Sequence, residues 1–356
     1  MSFPRATIDS GALRHNLAAV RRIAPDSRVL AVIKANAYGH GMLAVARALA
    51  SADAFGVARF SEGMALRSAG IDAPVVLLEG VFSSGELQIA CVEQFELVVH
   101  SIEQVVLLEQ AATSHRFAIW LKLNTGMNRL GFGCDELETV RHRLSQCSCV
   151  GSVRLMTHLS GAEEQGSASA RDQIGRFRAL ADPLHVESSI ANSAGLILWP
   201  EARTQWVRPG LMLYGISPIP GLDAVQIGLR PAMTLSTQLI SMRDVPRGEH
   251  VGYNGTWQAG RGSRIAIAAI GYGDGYPRNL RTGTPVLVNG NEAPIVGRVS
   301  MDMMAVDVTD LPAARVGDSV VLWGEGLPAE RVAPYADTIA YELVCGVTAR
   351  VAVEWR

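Results

Sequence analysis

Lys34 follows five apolar residues, Val29 to Ile33, and precedes the small, polar run ANAYGHG. Buried lysines are rare, so a lysine fixed at the end of a buried strand is a candidate site residue. Other groups stand in comparable places. Lys122 lies in the run FAIWLKL with Arg129 in the loop after it, His158 ends VRLMTHL, and Arg208 ends TQWVR. Histidine can move protons near neutral pH, and arginine is a permanent cation suited to anions. Asn192 and Ser193 follow the run HVESSIA. As a helix start they would offer free N–H groups to a phosphate.

Each of these residues also has an ordinary reading. Lys34 could cap a strand at the surface, although the five apolar residues before it argue for a strand mouth. His158 could be a hydrogen-bonded core histidine, Lys122 could point outward beside Trp120 and Leu121, and Arg129 and Arg208 could be ion-pair partners. Asn192 and Ser193 could do no more than cap the next helix.

The elements that would position these groups form a pattern. Eight short runs rich in Val, Ile and Leu occur at 29–33, 54–58, 74–78, 97–100, 117–123, 153–159, 185–191 and 204–208. Helix-like stretches lie between them, including 42–50, 61–70, 136–147 and 171–181. Repeated strand and helix with continuous apolar strands argues a parallel sheet covered by helices, and eight repeats fit a (β/α)8 barrel. In such a barrel the site lies at the carboxyl ends of the strands, where these polar residues fall. From about residue 229 strands dominate. We therefore expect a barrel over residues 1–225 and a mostly β domain over residues 226–356.

Composition bounds the partners. The chain has 356 residues, 48% hydrophobic and 19% charged, with formal net charge −2. Basic residues are scattered, so no nucleic-acid footprint is expected. No apolar run is long enough for a bilayer span, and the N-terminus lacks a signal-peptide core, so no membrane partner is expected. Five cysteines at 91, 134, 147, 149 and 345 are read as free thiols in a reducing cytoplasm. No metal-ligand spacing occurs, and GYGDGY at 271–276 is a weak match to a nucleotide loop because no helix follows it.

VIKANAYGHG resembles the pyridoxal phosphate signature of alanine racemases. WLKLNTGMNRLG, VRPGLMLYG, VGYNGTW, GYGDGYP, VSMDMMAVD and YELVC resemble that family's segments in the family's order, across essentially the whole chain. The resemblance implies pyridoxal 5'-phosphate as cofactor, an amino-acid substrate and a head-to-tail homodimer with composite active sites.

Residue by residue, the resemblance implies that Lys34 holds the cofactor and serves as the base on one face of the substrate. Tyr253 would serve the other face from the second subunit, with His158 and Arg208 supplying a positive environment. Tyr38, Asn192, Ser193, the amides of Gly210 and Leu211, and Tyr341 match cofactor-binding positions. Arg208 would face the ring nitrogen. Arg129, Met301 and Asp302 would meet the substrate carboxylate, Tyr272 and Tyr341 would narrow the entrance, and Lys122 matches a lysine often carbamylated. The chain departs from the family in reading THLSGAEE after the sixth run and Asn128 where histidine is common. Competing readings are a serine or broad-specificity racemase, a decarboxylase, and a cofactor-binding protein without turnover. A decarboxylase needs no base on the second face, which Tyr253 argues against, and a simple carrier would not need the β domain. The sequence does not separate a role in making D-alanine for wall synthesis from one in alanine breakdown.

Overall fold

The computed structural model describes residues 4–356. Strand β1, Arg5–Ile8, is followed by the eight barrel strands: β2 Arg28–Val32, β3 Ala54–Val57, β4 Val75–Leu77, β5 Glu96–Val99, β6 Phe117–Lys122, β7 Val150–Met156, β8 Ser188–Ser189 and β9 Trp206–Val207. All neighbouring pairs are parallel, and β9 pairs back onto β2, which closes the barrel. Every apolar run became a strand. The seventh and eighth runs contribute only two residues each to the ladder, and His185, at the start of the seventh, is left-handed rather than extended.

The barrel interior is apolar and bulky. Leu30, Ala54, Val76, Val98, Trp120, Met156 and Trp206 pack inside it. A polar clamp seals the amino-terminal end. Arg154 donates to Glu96 and to Glu187, each at 2.8 Å, while Trp120 Nε1 and Trp206 Nε1 donate to the same two carboxylates. Arg28 pairs with Glu187 and lies over the Trp206 ring at 4.4 Å. With that end filled by aromatic rings and ion pairs, the carboxyl-terminal end is the open one.

The second domain is built on β10 Met233–Val245, β11 His250–Val251, β12 Trp257–Gln258, β13 Ser263–Ala268, β14 Pro285–Val288, β15 Asn291–Val296, β16 Met304–Asp307, β17 Ser319–Trp323 and β18 Ala352–Trp355. Strands run in the order β13-β16-β15-β14-β17-β10-β1-β18, and β10 also pairs with β13 so that six of them close on themselves. Closure removes edges that could recruit other chains. Strand β1 belongs to this sheet although it precedes the barrel, lying antiparallel to β10 and parallel to β18. Both described ends of the chain therefore sit in the β domain. The connector after the barrel is tied down by Glu330, whose Oε1 accepts from the amides of Ser217 and Ala224 at 2.9 and 3.0 Å.

Candidate active site

Lys34 opens a turn of unusual hand. Ala35, Asn36, Ala37 and Tyr38 all have φ between 53 and 55°, and Gly39 follows at 80°. For L-residues each left-handed step costs roughly 1–2 kcal/mol, so four in succession persist only where neighbours over-determine them. Glu62 does much of this, accepting from the amides of Ala35, Ala58 and Arg59 at 2.7, 2.9 and 3.0 Å. Asn36 Oδ1 takes the Met42 amide at 2.9 Å, and the Ala37 amide donates to Ile33 O at 2.8 Å. Gly39 is required on a second count: a Cβ there would lie 2.1 Å from Val344 O in the β domain. The strained turn is thus locked between the barrel mouth and the second domain, with Lys34 and Tyr38 both facing one cavity.

That cavity has a volume of about 440 Å³ and sits at the carboxyl ends of the barrel strands. It brings together Lys34, Tyr38, Lys122, Arg129, His158, Asn192, Ser193, Arg208, Gly210, Leu211 and Tyr341. Tyr253, Tyr272, Met301 and Asp302 do not line it. They lie on the surface of the β domain, with Tyr253 65% and Met301 52% exposed.

Arg208 is the most firmly held cation. It is buried, donates to Ser189 Oγ at 2.6 Å and Ile190 O at 3.2 Å and to Thr157 O, and approaches His158 Nδ1 at 3.5 Å. Burial pulls its pKa down to about 10, which still leaves it charged at neutral pH. His158 is affected more strongly. Burial and then the positive charges of Arg208, Lys122, Arg129 and Lys34 hold its pKa well below the ordinary histidine value. The ring is neutral, with Nδ1 turned to Arg208 as an acceptor and the proton on Nε2. The positive environment expected partly from His158 therefore rests on Arg208, Arg129 and the lysines. Lys122 is brought down to about 8 by burial, then by Arg208, Arg129 and Lys34, while Glu79 opposes the shift. Lys34 is lowered first by burial and then by Arg129.

One wall is suited to an anion. Ser193 Oγ accepts from the amides of Gly210 and Met212 at 2.9 and 3.3 Å, which leaves its own O–H to donate into the cavity. Asn192 caps the helix Ser193–Leu198 through Gly195 N at 2.8 Å, so the capping reading of its side chain holds. Gly210 lies against Tyr38, and a Cβ there would come within 2.5 Å of the Tyr38 hydroxyl. Tyr38 packs between Tyr214 and Tyr341 with the rings tilted, their centroids at 4.8 and 5.7 Å. Tyr214 is itself anchored by a 2.9 Å bond to Val32 O. In the loop after β6, Asn128 adopts φ 55°, a conformation asparagine tolerates, and its amide donates to Asn124 Oδ1 at 3.0 Å.

Two features escaped the sequence reading. The chain has 32 basic residues but only two lysines, Lys34 and Lys122, and both line the cavity. Positive side-chain charge elsewhere is carried by arginine, whose guanidinium does not give up its proton; the side-chain amines are confined to the site. That count was available in the sequence. Glu79 also lines the cavity. It ends the fourth apolar run much as Lys34 ends the first, so the strand-end rule could have found it.

The family models describe the same two domains. Those for the alanine racemase N-terminal and C-terminal domains match residues 8–218 and 232–355. The chain belongs to the alanine racemase family. An alanine racemase of Aeromonas hydrophila is 50% identical over 351 residues, covering 98% of each chain, and one of Yersinia pestis is 48% identical over 356 residues, covering 100% of this chain and 99% of the relative. Among solved structures, the biosynthetic alanine racemase of Pseudomonas aeruginosa superposes with TM-score 0.96 at 44% identity, and that of Acinetobacter baumannii with 0.94 at 39%. Each covers 100% of both chains. The alanine racemase likeness therefore includes the β domain and the surface that carries Tyr253, Tyr272, Met301 and Asp302.

Proposed function

We propose that this chain interconverts L- and D-alanine, using pyridoxal 5'-phosphate held at Lys34, as a homodimer whose sites draw residues from both copies. The observation that carries this reading is the convergence of both lysines of the chain on one cavity that also holds an anion-binding wall. The residues fit the cofactor. Lys34 supplies an amine whose proton is loosened by burial, Tyr38, the Ser193 hydroxyl and the Leu211 amide suit a phosphate, with the Gly210 amide holding Ser193 Oγ in place, and Arg208 is a fixed cationic donor for a ring nitrogen. When bound, the cofactor supplies an electron sink for the charge left as the substrate's α-proton departs.

Racemisation needs a proton carrier on each face of the α-carbon. Lys34 Nζ takes or returns the proton on one face. Tyr253 Oη of a second copy does so on the other; its turn, Tyr253–Gly255, is on the surface of its own chain and available to a neighbour. Arg208 keeps its proton and would donate a hydrogen bond to the ring nitrogen without protonating it. Arg129 attracts the substrate carboxylate. Asp302 is engaged by Arg350 at 2.7 Å, so the Met301–Asp302 pair would meet that carboxylate through its backbone rather than through the acid. Lys122, with its pKa near 8, is partly neutral at cytoplasmic pH and could add to carbon dioxide, forming an N–C bond and releasing a proton to solvent. The resulting carbamate would pair with Arg129. All five cysteines are free thiols, which supports the cytoplasm as its compartment.

Alanine is the expected preferred substrate because Tyr341 crowds the space beside Tyr38 while lining the cavity. Displacing a packed ring for a long cationic side chain costs about 1–3 kcal/mol or more. An added hydroxyl is rejected only on the order of a hundredfold by an apolar pocket, so serine should be racemised measurably but more slowly. Tyr341→Asn should raise the serine rate relative to alanine. The test is kcat/KM for alanine, serine and lysine on one preparation, where a wild-type preference for serine or lysine would remove the alanine assignment.

A further inference from the structure

Glu79 is the one carboxylate among the residues lining the cavity, where Lys34, Lys122, Arg129 and Arg208 also converge. No step of the proposed reaction uses it. Its backbone is nevertheless held with care. Glu79 O accepts from Gln104 Nε2 at 2.8 Å and from His100 Nε2 at 3.1 Å, and Gln104 Oε1 in turn takes the His100 amide at 2.8 Å. Gln104 is buried beneath the turn. The next residue, Gly80, has φ 72°, and a Cβ there would lie 2.3 Å from Val98 O and 2.4 Å from Gln104 Nε2. The turn after β4 is thus held in one shape, which places Glu79 in the cavity wall. On its outer side the carboxylate accepts from Arg59 at 3.0 Å, and the Arg59 side chain is 72% exposed.

We propose that Glu79 is a positioning residue of this site: its carboxylate, shared with Arg59, is the adjustable anion against which the charges of Lys34 and Lys122 are set. The other anion near Lys34, Glu62, is committed to three backbone amides of the strained turn. Cys345 also faces Lys34, and burial pushes its thiol up and keeps it neutral. Around Lys34, burial and then Arg129 favour loss of the proton, while the charged Glu79 and Glu62 oppose it. Around Lys122, Arg208, Arg129 and Lys34 favour loss and Glu79 opposes it. Removing the Glu79 charge therefore lowers both amine midpoints. Removing Arg59 leaves Glu79 uncompensated and raises them.

The two-lysine composition makes this directly readable. Full-length chain labelled with 13Cε-lysine, treated with hydroxylamine and kept in carbon dioxide-free buffer, gives two lysine side-chain resonances, assigned through Lys34→Arg and Lys122→Arg. Glu79→Gln should move both titration midpoints down by about half a pH unit or more, and Arg59→Ala should move them up by less, since that pair is exposed. Unchanged midpoints in both variants would overturn the proposal, as would shifts of the same sign, which would report general loosening. Should Glu79→Gln fail to fold, the sign of the Arg59→Ala shift decides alone. The titration is read with no cofactor bound, so its failure is separable from failure of the racemase reading.

Discussion

Lys34→Ala subunits mixed with Tyr253→Phe subunits, after dissociation and reassembly, should recover about a quarter of the wild-type activity per site. Random pairing of two subunit types makes about half of the dimers mixed. In a mixed dimer one site takes Lys34 from one copy and Tyr253 from the other, both intact, while the second site carries both defects. The expectation follows from where the two residues lie. Lys34 lines the barrel cavity, whereas Tyr253 stands 65% exposed on the β domain and lines no part of it. Each variant alone should be nearly inactive. Activity of the mixture is measured against the mean of the separate variants, and absence of any gain would mean that each site is confined to one chain.

Tyr253→Phe by itself should split the two directions of proton exchange. A positioned acid or base contributes typically 10²–10⁴-fold to proton transfer. Loss of the Tyr253 hydroxyl should therefore slow α-proton exchange from one enantiomer by about that factor. Exchange from the other, served by Lys34, should remain within a few-fold of wild type. Deuterium incorporation from solvent into L- and D-alanine, followed separately, reports the split. Wild-type exchange from both enantiomers would remove Tyr253 from the chemistry.

The barrel was legible because its strands are buried on both faces and so read as continuous apolar runs, from Val29–Ile33 to the run ending at Arg208. Knowing that, the carboxyl-end rule placed Lys34, Lys122, Arg129, His158, Asn192, Ser193 and Arg208 on one rim, and all of them line the same cavity. Other features were not readable from local pattern. Strand β1 is four residues long and pairs with segments more than two hundred residues away, so nothing in RATI announces the β domain. The left-handed run at Ala35 to Tyr38 contains no glycine; it is imposed by Glu62, Asn36 and the approach of Val344. The neutral state of His158 depends first on its burial and then on cations contributed by separate strands and loops, both of which need the closed barrel. Glu79 and the two-lysine count were within reach, the first by the same strand-end rule and the second by composition.

The Lys34 amine is the group expected to hold the cofactor. Borohydride reduction of the purified enzyme, followed by digestion and mass analysis of the modified peptide, tests it with few competitors because Lys122 is the only other lysine. One pyridoxyl-bearing peptide containing Lys34 is expected, with loss of the cofactor's absorbance band and of activity in proportion to labelling. Label on Lys122 or on the terminal amine, or an unmodified Lys34 in an inactivated enzyme, would contradict it.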